Sequence, residues 1–387
     1  MRQTRLAVSV WSLLCLGAHA ADYSDASLYQ SKLTVAGNIR SAMLASIRTS
    51  WEQGTAAGGI LEFDDSEYSV FGSSPFVYCG ISPLSTLQLA YSAAVRQSSD
   101  GRLSQEIGDA QDGAALDGAS AGSAVLLGSF TDTSRHNYWL NAADAQLNFI
   151  LNVAPRTSTG AISHRADSRQ YWADGVYMGF PFIAYFGAVT NNATLLQIAY
   201  DQCRLYRDAL ILDGPTGKLW GHIYSDDTKE WIDEGIWGTG NAWAALGMLR
   251  VAVTIQKTEH SSMMASQIAA LTSWIKEILD GEFAALTSDN LIPDYITGGP
   301  SFSDAASSAA LASVAYRVAH LYPHQFGSNY TDVAAKIRNA VVGNITNLGT
   351  LQPIVDPLAW TQTGLLSTES QAFGLMMFAA WRDWIGV

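Results

Sequence analysis

The strongest constraint on the fold of this chain is a train of long apolar helical stretches with almost no strand-like alternation between them. Asn241–Ile255 is apolar on nearly every side, with Ala242, Ala244, Ala245, Leu246, Met248 and Leu249, so other helices must enclose it. Leu195–Leu210 is amphipathic, with Arg204, Arg207 and Asp208 between its apolar positions. Similar spacing recurs over Leu33–Ile47, Thr86–Val95, Ala119–Gly128, Trp139–Val153, Ser261–Leu279, Asp304–Leu321, Thr331–Val342 and Gln371–Trp384. Lys218–Ser225 and Glu230–Glu234 read as one short hairpin. About ten to twelve helices, paired roughly every 50–60 residues, predict an all-α ring of helical hairpins. Ala- and Gly-rich stretches would form its inner wall, and the loops at one end would form a cup.

The first residues, Met1-Arg-Gln-Thr-Arg5 followed by an apolar run and Ala18-His-Ala20, read as a signal peptide spanning 1–20. Residues 21–387 then form a single domain, since no low-complexity linker divides them. No stretch is long and apolar enough for a bilayer span, so a secreted, extracellular protein is expected. Loss of Arg2 and Arg5 takes the net charge from −13 to −15. That acidity argues against a nucleic-acid partner, whose phosphates need a basic face. Removal of Cys15 would leave Cys79 and Cys203, whose pairing the sequence leaves open. Asn192, Asn329 and Asn344 head glycosylation sequons.

Chemistry concentrates in Trp172-Ala-Asp-Gly-Val-Tyr-Met-Gly-Phe-Pro-Phe182. A carboxylate at Asp174, set among Trp172, Tyr177 and Phe180, loses water, and desolvation raises its pKa toward that of a general acid. The same Asp reads equally as a helix cap. Further loops stand beside helices: Ser50-Trp51-Glu-Gln-Gly54, Gln111–Ser120 with Asp117, Gly221–Asp227 with His222, and Ile236-Trp-Gly-Thr-Gly-Asn-Ala-Trp243. Twelve Trp in an acidic chain suit sugar rings, whose C–H faces stack on indoles, although cores bury Trp as well. Asp226, Asp227 and Asp233 read as a solvated acidic loop, and Asp112 is an alternative partner for Asp174. His136 and His164 carry no motif. No metal or cofactor is expected, because no His-x-x-x-His, Cys-x-x-Cys or calcium-loop spacing is present.

Taken in order, Asp117 at a helix start, Trp-x-Asp-Gly-x-Tyr-Met-x-x-Pro-Phe, His222 and Trp-Gly-Thr-Gly-Asn-Ala-Trp resemble the unsaturated uronyl hydrolases of glycoside hydrolase families 88 and 105. The resemblance implies a six-hairpin (α/α)6 barrel and an oligosaccharide partner ending in a 4,5-unsaturated uronic acid. It implies that Asp174 is the general acid/base, which protonates C4 of the enol ether before water adds at C5. Asp117 matches a second carboxylate, and His222 a substrate-binding histidine. Trp237, Trp243 and Trp51 match aromatic walls, while Asn241, Tyr177, Met178 and position 239 line the same motif. The families usually carry an arginine where this chain has Thr239, and often a polar residue where it has Gly118. Threonine cannot make a bidentate contact to a carboxylate. Arg165, Arg169 and Lys218 are the candidate replacements; a cation beside position 239 would favour a uronate, and an anionic wall would argue against one. Another glycosidase or a lyase on the same barrel, and a non-catalytic sugar-binding protein, are the alternatives.

Overall fold

The computed structural model describes residues 23–48, 50–105 and 113–387; the leader segment, Cys15 and Asp112 fall outside them. The helices are α1 (Tyr23–Ser46), α2 (Trp51–Phe63), α3 (Leu84–Val95), α4 (Gly122–Thr131), α5 (His136–Asn148), α6 (Gly175–Met178), α7 (Phe180–Val189), α8 (Ala193–Leu210), α9 (Gly238–Gln256), α10 (Ala265–Ala284), α11 (Ala305–Leu321), α12 (Ser328–Gly343) and α13 (Thr368–Ile385). They form six hairpins. The inner ring runs α2, α4, α6–α7, α9, α11 and α13, and α13 packs back on α2 to close it. The outer members α1, α3, α5, α8, α10 and α12 cover that ring. The fold is an (α/α)6 barrel.

Burial explains which helices go inside. Every residue from Gly238 to Ile255 in α9 is buried, as is every residue from Ala305 to Ala319 in α11. The outer α8 and α12 bury only one stripe. Sequence periodicity misses two inner helices. The α2 segment contains Gly54, Gly58 and Gly59, which lower helix propensity. Gly54 is required because a Cβ there would collide with the backbone at Ser120. In α9, a Cβ at Gly247 would strike the backbone of Val176, so α9 and α6 meet at a glycine. Helix α7 begins Phe-Pro-Phe, and proline is tolerated in a first turn, where its missing N–H has no partner to lose.

The chain makes more strand than the single expected hairpin. The strands are β1 (Gln170–Trp172), β2 (Ile211–Gly214), β3 (Gly217–Trp220), β4 (Ile223–Ser225), β5 (Glu230–Asp233), β6 (Ile236–Trp237), β7 (Ile292–Pro293), β8 (Tyr295–Thr297), β9 (Ser303–Asp304), β10 (Ile354–Asp356) and β11 (Ala359–Gly364). Lys218 belongs to a separate β2–β3 hairpin, while β4 pairs with both β5 and β1. Most of these strands run into, or lie between, inner helices, so the ends where those helices begin are held by short ladders. The opposite ends are tied by buried ions: Glu62 of α2 accepts from Arg250 of α9 and Arg317 of α11, and Arg317 also reaches Asp383 of α13. Cys79 is exposed, Cys203 is buried, and both are free thiols. Asn192, Asn329 and Asn344 are all exposed.

Candidate active site

A cavity of about 430 Å³ lies where the inner helices begin. It is lined by Trp51, Asp117, His164, Trp172, Asp174, Met178, His222, Trp237, Pro357, Trp360 and Glu369. Trp51 opens α2, Asp117 precedes α4, Asp174 precedes α6, Trp237 precedes α9, and Glu369 is in the first turn of α13. One architectural rule thus supplies most of the lining, because the inner helices all start at this end.

Asp174 follows β1 directly. In the β1–β4 ladder Trp172 lies opposite Ile223, and Ala173 N–H donates to the His222 carbonyl at 3.0 Å. This register brings Asp174 to His222. The Asp174 carboxylate makes no capping bond to α6. Its Oδ2 lies 3.5 Å from His222 Nε2, an ionic contact rather than a well-formed hydrogen bond, and both atoms are buried with no other partner. His222 Nδ1 lies 2.9 Å from Asp233 Oδ2. The same Asp233 oxygen accepts from Tyr295 Oη at 2.6 Å, and Asp233 Oδ1 accepts from Gly235 N–H at 2.9 Å. Asp233 therefore anchors the histidine rather than facing solvent as expected. Asp226 is likewise buried, and accepts from Ser158 N–H and Oγ at 2.7 Å each. Only Asp227 of the three is exposed.

The charges follow from this arrangement. Burial alone would push Asp174 up, but the contact with His222 and its charge outweigh it, and the pKa is lowered. The expectation of an acid made by desolvation is thus reversed by a neighbouring imidazole. For His222, burial pulls the pKa down while Asp174 and Asp233 push it up, and the net is upward. Asp233 is lowered: burial pushes it up, and the bonds to His222 and Tyr295 more than offset this. A raised histidine contributes stability below its ordinary pKa that is lost as pH rises through the raised one. Lowered carboxylates contribute stability above their ordinary range that is lost as pH falls through the lowered one. The Asp174–His222–Asp233 unit is most stable between those limits. Asp233→Asn should move the alkaline limb of any His222-dependent activity down by about one pH unit or more, since an opposite charge leaves the imidazole. A pH–kcat profile that the Asn variant leaves in place would remove Asp233 from this role.

His164, which the sequence reading passed over, stacks on Trp172 at 4.9 Å and places Nε2 3.4 Å from Asp117 Oδ1. Burial lowers its pKa to about 4, so the ring is neutral near neutral pH. The β1-side ladder sets its place, with His164 N–H donating to the Gln170 carbonyl. Glu369 accepts from Trp51 Nε1 at 2.6 Å, and burial raises its pKa to about 8. Trp360 and Pro357, also unforeseen, reach the cavity from the β10–β11 hairpin, with Trp360 edge-on to Trp172 at 5.8 Å and to His222 at 5.3 Å. The one sequence signal for them is a lone Trp beside a Pro-Leu turn, Asp356-Pro-Leu-Ala-Trp360, which carries no motif.

Four residues grouped with the site lie elsewhere. Trp243 is fully buried between Tyr177 at 4.6 Å and Phe373 at 4.5 Å. Tyr177 faces a second cavity of about 630 Å³ with Glu62 and Arg250, and Met178 borders both spaces. Asn241 donates to the carbonyls of Trp220 and Trp237 and accepts from Trp220 N–H, so it pins β3 to the start of α9. Thr239 is buried and donates to Asp304 at 3.0 Å. Helical phase explains Thr239, Asn241 and Trp243: they follow Trp237 into α9, where the wall is closed on all sides. Among the described residues, no Lys or Arg lines the site cavity. Arg165 pairs with Asp167, Arg169 with Asp227, and Lys218 is exposed on β3. Next to Thr239 stand Asp304 and, under the Trp237 ring, Asp294, which accepts from Trp237 Nε1 at 2.9 Å. Burial and the neighbouring Asp304 push Asp294 up to about 8, so Asp294 is mostly protonated near neutral pH, and the wall at position 239 holds two carboxyl groups rather than two anions. Among the described residues no group of His, Cys, Asp and Glu is placed to hold a metal ion, and no helix is long and apolar enough to cross a membrane.

The sequence profile of Glycosyl Hydrolase Family 88 matches residues 89–355, more than half of the chain. The unsaturated rhamnogalacturonyl hydrolase YesR of Bacillus subtilis (strain 168) is 24% identical over 218 residues, which cover 54% of this chain and 59% of that protein. This chain therefore spans about three fifths of that relative's length. Among solved structures, a possible member of the GH105 family from Klebsiella pneumoniae superposes with a TM-score of 0.72 at 16% identity, covering 98% of this chain and all of the other. The unsaturated glucuronyl hydrolase from Bacillus sp. GL1 superposes with a TM-score of 0.63 at 12% identity, covering 92% and 96%. These two share the fold.

Proposed function

We propose, from the fact that this chain belongs to glycosyl hydrolase family 88, that it removes a 4,5-unsaturated uronic acid residue from the non-reducing end of an oligosaccharide. The supporting observation is the Asp174–His222–Asp233 unit at the floor of an indole-walled cavity. Hydration of an enol ether needs one group that gives a proton to carbon and then takes one from water. Asp174, with its pKa lowered, lies against His222, whose pKa is raised, so a proton carried by the imidazole is one contact away. When a sugar covers the cavity and removes its water, that contact loses solvation and the proton moves to Asp174. Asp174 then protonates C4, the positive charge at C5 is shared with the ring oxygen, and water adds at C5. The water's proton returns to Asp174 and His222. The hemiketal opens and the glycosidic oxygen leaves protonated. Asp117, beside neutral His164, is available to hold sugar hydroxyls. Trp51, Trp172, Trp237 and Trp360 offer ring faces and edges to the sugar.

The reading is tested by incubating the chain with unsaturated galacturonyl and glucuronyl disaccharides. The ultraviolet absorbance of the C4=C5 bond should fall, and no fall at enzyme excess would reject the reaction. A second reading, an ordinary glycosidase acting on an uncharged sugar, is favoured by Thr239 donating to Asp304 and by Asp117 and Asp174 sharing one cavity. Release of reducing sugar from a saturated oligosaccharide would support it. The leader-like residues 1–20 support a site of action outside the cell.

A further inference from the structure

The cavity around Asp174 is poorly suited to an extra negative charge. Its ionisable lining consists of Asp117, Asp174 and Glu369 with His164 and His222. The stretch 106–112, outside the described residues, reads Glu-Ile-Gly-Asp-Ala-Gln-Asp and holds no basic residue. His222, whose pKa is raised, is already held between Asp174 and Asp233. Formally, three carboxylates, Asp117, Asp174 and Asp233, stand against at most one cation. Asp304 stands behind Thr239; Asp294, behind Trp237, is pushed up to about 8 by burial and by Asp304 and adds little charge near neutral pH. Helix N-termini would normally attract an anion, and the inner helices all begin here. Three of those ends already carry the chain's own acids, Glu52 in α2, Asp304 capping α11 at Ala306 and Ser307, and Glu369 in α13, whereas α4, α6, α7 and α9 have no acidic residue in the first turn. The remaining lining is apolar, namely four indoles with Met178 and Pro357.

We propose that the unsaturated sugar taken by this cavity carries its C6 carboxyl as a neutral methyl ester rather than as a free carboxylate. The inference rests on the reaction proposed above and names its substrate class. A free carboxylate entering this cavity would lose water beside like charges with no cation to meet it, which strongly disfavours the charged form. An ester removes that charge, keeps a carbonyl acceptor and adds a methyl group that suits indole walls. The substrate would come from β-elimination on an esterified polyuronide. That elimination is chemically the easier one, because an ester makes the C5 proton more acidic than a carboxylate does. The hydration leaves the ester intact: a C4–H and a C5–O bond form, and the glycosidic oxygen leaves with a proton.

The ester also withdraws electrons from C5 and slows protonation, so kcat mixes intrinsic reactivity with recognition and KM is the cleaner readout. An unsaturated galacturonyl disaccharide is to be compared as the free acid and as its methyl ester, by loss of enol-ether absorbance at neutral pH. The ester should show a KM lower by about tenfold or more. An equal or lower KM for the free acid overturns the inference while leaving the reaction standing. Loss of absorbance from neither compound rejects the reaction and the inference together.

Discussion

Asp174→Asn should lower turnover of an unsaturated disaccharide by roughly 10²–10⁴-fold, the range that a positioned general acid contributes. The amide keeps the shape and polarity of the side chain, and Asp174 makes no capping bond to α6 whose loss would loosen the helix. What disappears is the oxygen that takes a proton from His222 and gives it to C4. His222 also loses one of the two anions that hold its pKa up, so its titration should move toward the ordinary value. Initial rates from enol-ether absorbance, with circular dichroism to verify the fold, check both points. An Asn variant with wild-type turnover would remove Asp174 from the acid role, and with it the mechanism derived from this unit.

Trp243→Ala should cost about 3–5 kcal/mol of stability, as expected for removing a large aromatic ring from a packed core. The ring is 1% exposed and touches Tyr177 and Phe373 across three inner helices: α6, α9 and α13. Denaturant unfolding measures the loss directly. The motif resemblance places this residue at the sugar, and the two placements predict different data. Unchanged stability with a raised KM would return the ring to the subsite, whereas a large stability loss assigns it to the barrel wall.

Much of the barrel was legible in the sequence because helical burial is written at short range. The all-round apolar character of Asn241–Ile255 and Asp304–Leu321 identifies inner helices, and the one-sided pattern of Leu195–Leu210 identifies an outer one. Helix α2 was not legible. Its three glycines read as a loop, and their reason, the close approach of Ser120 and Ala372, lies far along the chain. Within the site, Asp117, Asp174, Trp51 and Trp237 stand where a polar or aromatic loop meets an apolar helix, while His222 stands in a short loop between two strands and was picked out by the ordered motif. His164, Trp360 and Asp233 had no such local mark, since they reach the cavity through strand pairing and a late hairpin.

The sequence by itself determined where the inner helices run and that carboxylates and indoles cluster at their starts. These are properties of residues a few positions apart, fixed by periodicity and side-chain polarity. Only the tertiary structure decided the charge of Asp174 and the character of the cavity around it. Asp174 is held ionised by a histidine 48 positions away, and Thr239 turns to Asp304 instead of the ligand. A pKa depends on every charge and every water within several ångströms, and those neighbours are assembled only when the ring closes.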